Sequence, residues 1–139
     1  MKVLDPVARH AHWALRVVLA SVFLYHGLTK FPTLGGTAEM MGLLVFVLLL
    51  VALAEFGGGI LILLGGVLYD WMTRLGALLI IPVMIGAIFM VHWPQWAFTP
   101  SETHPMSGME FQVTLLLISV YFVLKGNKAN VGRISPESA

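Results

Sequence analysis

Four apolar runs, each close to the length that crosses a bilayer, fix what this chain can become. They cover residues 11–28, 43–67, 73–91 and 109–124, and a spanning helix needs about 17–25 residues. In hydrocarbon every backbone polar group must find its partner inside the segment, so runs of this kind cross as helices. The expected fold class is all-α integral membrane, a four-transmembrane-helix bundle. Residues 1–126 read as one transmembrane domain and residues 127–139 as a polar cytoplasmic tail. No internal repeat or low-complexity tract interrupts it.

Composition agrees. Hydrophobic residues are 58% before the 14 glycines are added, and charged residues only 11%, against about 25% charged in soluble domains. A net charge of +1 lacks the dense basic footprint that nucleic acid requires. With no cysteine, disulfides, thiolate nucleophiles and cysteine-ligated metals are excluded within the chain. A secretory signal is the competing reading of the first run, but Arg16 interrupts it and no small-x-small cleavage pattern follows.

Basic residues set the orientation. Lys2, Arg9, Arg74, Lys125, Lys128 and Arg133 fall on one side, Lys30 alone on the other, and the 92–108 loop has neither Lys nor Arg. The positive-inside rule places both termini in the cytoplasm, with the first and third loops outward.

Polar residues within the runs are the candidate site. At 100° per residue His12, Arg16, His26 and Lys30 share an arc of about 80° on the first helix. Snorkelling to the interfaces accounts for the outer members of that set, but Arg16 lies deeper, at a cost of about 2.5–3.5 kcal/mol on insertion scales. Glu55, near the middle of the second run, is its expected partner, about 6 Å away in depth. That pair reads either as a structural ion pair or as part of a substrate or proton site. Gly58, Gly59 and Gly66 share the face of Glu55 and suit close helix packing. Glu110 opens the fourth helix, where a carboxylate favours the helix dipole, at a depth matching His26. His92 reads as capping a lipid-facing stripe with Ile81, Ile85 and Ile88. Gln112 falls on another face from Glu110, and the eight methionines read as packing. No short histidine or carboxylate spacing links His26, His92, His104 and Glu110, so no metal or haem is expected.

The stretches RVVLASVFLYHGLTKF, AEFGGGILILLGG and GMEFQVTLLLISVYFVLKG together resemble the DoxX family of small bacterial four-helix membrane proteins, over most of residues 13–126. The resemblance rests on an Arg…Gly-x-x-Lys pattern, a Glu-x-Gly-Gly and a Gly-x-Glu. It implies a multi-pass protein of the bacterial inner membrane, similar to the membrane partner of a thiosulfate:quinone oxidoreductase. The matching positions are Arg16, Gly27, Lys30, Glu55, Gly58, Gly59 and Glu110, with Gly27 joining the helix-packing glycines.

Two functions fit these residues. In the first, the chain is a subunit associated with quinone-linked oxidoreduction. Arg16 and Glu55 then form the base of an outward-opening pocket, and His26, Lys30 and Glu110 its mouth. Carboxylates and imidazoles beside a quinone headgroup have protons to move. Its partners would be membrane lipid, a redox subunit or a second copy of itself. In the second, the same charges belong to a non-enzymatic membrane scaffold or a small-molecule transporter subunit. No dinucleotide, phosphate-loop or metal motif decides between them.

Overall fold

The first apolar run folds into a helix longer than its apolar stretch. In the computed structural model, which describes residue 7 and residues 10–130, α1 spans His12–Lys30. A 3-10 turn, Phe31–Thr33, follows with Pro32 at its start, where a missing N–H costs nothing. A second helix, α2 (Leu34–Met41), then occupies the stretch that Pro32, Gly35 and Gly36 mark in the sequence as a simple connection. Two exposed glycines do not stop it. It ends where Gly42 takes φ 64°, with Leu43 N–H donating to Ala38 O and Gly42 N–H to Glu39 O, the paired bonds of a Schellman motif.

Three further helices complete the chain: α3 (Val45–Gly65), α4 (Asp70–Ala87) and α5 (Glu110–Lys125). Helix α4 runs through Pro82 and continues as a π-turn over Ile88–His92, closed by Trp93 N–H to Ile88 O at 2.8 Å. The described residues contain no strand. Three stretches are long and apolar enough to cross a membrane: His12–Met41, Val45–Gly65 and Asp70–His92. Helix α5, with 16 residues, rises about 24 Å, short of the ~30 Å hydrocarbon core. Of the orienting basic residues, Arg74, Lys125 and Lys128 are described; Lys2, Arg9, Arg133 and the tail beyond residue 130 lie outside the described residues.

Helix α1 packs on α3, α3 on α4 and α4 on α5, while α1 and α5 touch sparsely. Leu19, Phe23, Ile62, Ala77, Ile80, Met84, Leu115 and Phe122 make the core. Gly27 sets the register of α1 against α3. A Cβ there would lie 2.7 Å from Phe56 N and 3.0 Å from Ala52 O, so only glycine lets the two backbones meet. Gly126, at φ 53°, turns the chain out of α5 and brings Asn127 onto the α3–α4 hairpin.

Candidate functional site

Register explains which charges meet. With Gly27 level with Ala52 and Phe56, Glu55 sits beside the C-terminal part of α1. Arg16 lies eleven residues lower on that helix, about 16 Å away along the axis. Glu55 therefore pairs with Lys30, Nζ to Oε2 at 2.7 Å, with both side chains largely buried at 17% and 5% exposure. The expected Arg16–Glu55 pair does not form. Apolar length alone does not give this register: α1 extends past its apolar run to Lys30, and α3 starts at Val45, two residues later than expected.

Arg16 is fully buried at the opposite end, among neutral acceptors. Nε donates to His12 Nδ1 at 2.9 Å, and Nη1 to Ile62 O at 2.7 Å and Thr73 Oγ1 at 2.8 Å. Nη2 donates to Asn127 Oδ1 at 2.9 Å, and the guanidinium carbon lies 4.8 Å from the centre of the Phe122 ring. Asn127 in turn donates from Nδ2 to Gly65 O and from its backbone N–H to Asp70 Oδ1. Four hydrogen bonds from one guanidinium thus tie α1, α3, α4 and the residues after α5 together. A Cβ on Gly66 would lie 3.1 Å from Arg16 Cδ, so this glycine makes room for the arginine stem.

The Lys30–Glu55 pair stands in the wall of a cavity of about 410 Å³. His26 joins it from α1, Phe23 and Met84 supply apolar wall, and Phe111 and Gln112 close the α5 side. Thr29, Thr33 and Thr37 line one flank, their hydroxyls bonded back along the chain. Of the residues singled out in the sequence, the cavity gathers His26, Lys30 and Glu55. Arg16 and Glu110 are not among its lining. Glu110 is exposed and accepts Phe98 N–H at 3.1 Å, bracing the 93–108 loop.

Two lining residues escaped the sequence reading. His92 is buried at 7% exposure, not capping a lipid-facing stripe. Ile80, Met84 and Ile88 are buried as well, a four-residue spacing that drifts about 40° per step in an ideal α-helix. The wider π-turn lets His92 keep to the inward face. Its Nδ1 lies 2.9 Å from Ser107 O; a carbonyl only accepts, so this nitrogen carries the proton. In the neutral ring Nε2 then accepts from Gln112 Nε2, 2.9 Å away. That leaves Gln112 Oε1 buried and without a hydrogen-bond partner among the described residues. The threonine spacing 29, 33, 37 was a legible signal for one flank; nothing in a 100° projection reveals a π-turn.

The cavity is mostly apolar, with an ion pair, an imidazole–amide pair and a free amide oxygen at its edge. Such a site can orient a flat or apolar molecule bearing a few polar atoms, donating from Lys30 and accepting at Glu55. No group of three or more His, Asp or Glu able to hold a metal occurs among the described residues.

Apolar helices of spanning length around a polar-tipped cavity define a multi-pass membrane protein. The chain belongs to the DoxX family, whose sequence profile matches residues 11–93, well over half of it. It is also 32% identical over 117 residues, covering 82% of this chain and 78% of the relative, to a Bacillus subtilis (strain 168) protein described as "Putative oxidoreductase CatD". No solved structure gives a significant match.

Proposed function

We propose that the chain is a four-span subunit of the bacterial inner membrane, termini cytoplasmic, that serves quinone-linked oxidoreduction at the Lys30–Glu55 cavity. The observation that carries this reading is the buried ion pair in a mostly apolar wall. An ion pair costs several kcal/mol to desolvate, so it is out of place in a cavity meant only to pack lipid. The cavity volume of about 410 Å³ falls in the range of small-molecule sites, about 300–1,000 Å³. Kinship to a protein described as an oxidoreductase supports a redox context.

In this reading a bound quinone would be held by Phe23 and Phe111 as apolar wall, with Lys30 as the donor to a ring carbonyl. Its reduction to the quinol would take two electrons from a redox partner subunit and two protons, which Glu55 and His26 would relay. Helix α5, followed by the 3-10 turn Gly126–Asn130, makes the fourth crossing. The exposed Trp93, Trp96 and Phe98 anchor the loop before it at the headgroup level.

Quinone binding by the purified chain tests this directly. Titration with a short-chain quinone in detergent should give saturable binding that Lys30→Met or Glu55→Gln weakens by about tenfold, the 1.4 kcal/mol of one lost polar contact. Saturation by unrelated apolar compounds with equal affinity would instead point to a scaffold or transporter.

A further inference from the structure

We propose that Met40, Met41, Met90 and Met106 form a Cu(I) site at the end of the bundle that carries the 93–108 loop. A second cavity of about 320 Å³ is lined, among the described residues, by these four methionines and Val91. The chain has eight methionines in all. Half of them converge here from three separate places: the end of α2, the π-turn after α4, and the long loop.

Packing in the protein core does not account for the cluster. A methionine serving the core is buried, as Met84 is at 6% exposure, whereas Met40, Met90 and Met106 are exposed by 74%, 59% and 62%. Leucine would give the same apolar surface with better-defined rotamers; what methionine adds is a polarisable sulfur on three rotatable bonds.

The donor set selects the ion. Thioether sulfur is soft and neutral, which suits Cu(I) and disfavours Mg, Ca and Mn, which prefer oxygen. Among the described residues the lining holds no carboxylate and no imidazole, so Zn(II) finds there none of the donors it ordinarily takes. Cu(I) adds a single positive charge, tolerable near an apolar surface where a divalent ion with only neutral donors is not. The cavity is wider than an ion, so the flexible side chains must close around it. This site adjoins the Lys30–Glu55 cavity, with Met40, Met41 and Met106 on the boundary of both, but it does not depend on what that cavity binds.

The test is Cu(I) retention by the full chain in detergent, under reducing conditions, against the chromophoric chelator bicinchoninate. The expected result is about one Cu(I) per chain, with an absorption edge and fine structure that report sulfur ligands. Each of Met40→Leu, Met90→Leu and Met106→Leu should weaken binding by about tenfold or more, at least the effect of losing an outer-shell partner. The triple variant should abolish it. Met-to-Leu exchange conserves volume and apolar character, so the fold should persist, and Met72→Leu on α4 should leave binding unchanged. Loss of all copper to the chelator overturns the proposal, as does full retention by the triple variant. Should that variant fail to fold, the spectrum of the unaltered protein decides: nitrogen or oxygen ligation refutes the site.

Discussion

Lys30 Nζ lies 2.7 Å from Glu55 Oε2, joining the C-terminal end of α1 to the middle of α3 in a mostly apolar cavity wall. Removing either partner leaves a buried charge uncompensated, a loss of about 3–5 kcal/mol. Lys30→Met and Glu55→Leu should each lower the unfolding midpoint in detergent, and the double variant should recover most of that loss. Arg16→Leu combined with Glu55→Leu should be additive, since these residues share no contact. Recovery in the Arg16 combination, rather than the Lys30 one, would overturn the assigned pairing.

The Arg16 network should behave as a structural clasp. Asn127→Ala removes the acceptor of Arg16 Nη2 and Thr73 Oγ1 together with the donor to Gly65 O. The expected loss is about 1–3 kcal/mol per buried group left unpaired. Arg16→Lys should be nearly as harmful, because an ammonium offers three donors and cannot reproduce the planar fork. Ligand affinity at the distant cavity, measured on whatever fraction remains folded, should be unchanged. A selective loss of binding at full stability would place Arg16 in the site after all.

Gly27→Ala should be disproportionately damaging for one added methyl group. The atoms it would meet at 2.7 and 3.0 Å are the Phe56 nitrogen and the Ala52 oxygen, which belong to a helix backbone and cannot rotate away. Overpacking of this kind costs about 1–3 kcal/mol, and it should also loosen the Lys30–Glu55 pair three residues further along. Gly35→Ala, in the first turn of α2 with nothing within 4 Å of its Cβ, should be neutral or mildly stabilising, because alanine has less backbone freedom to lose than glycine. Thermal denaturation of the two variants side by side checks the contrast; equal effects would mean that α1 and α3 do not meet at Gly27.

Topology can be read chemically because no native thiol interferes. Cysteine placed at Thr33 or Thr103 should react in intact cells with a membrane-impermeant maleimide. Cysteine at Lys128 should react only after permeabilisation. Labelling of Lys128 from outside would invert the orientation and the outward opening of the cavity with it.

Membrane class, the helical runs and the family were legible in the sequence because they rest on local quantities: apolar length, charge density and motif spacing. His26, Lys30 and Glu55 were legible as a group too, since a charge inside an apolar run is conspicuous wherever the run folds. Their pairing was not. Which carboxylate meets which cation depends on how far α1 slides along α3, and a single backbone contact at Gly27 decides that. The face that His92 presents depends on a π-turn that widens the helix by one residue, invisible to a fixed 100° projection. The methionine cluster is likewise tertiary: Met40, Met90 and Met106 are each unremarkable in their own segments, and only the fold brings these residues to the wall of one cavity.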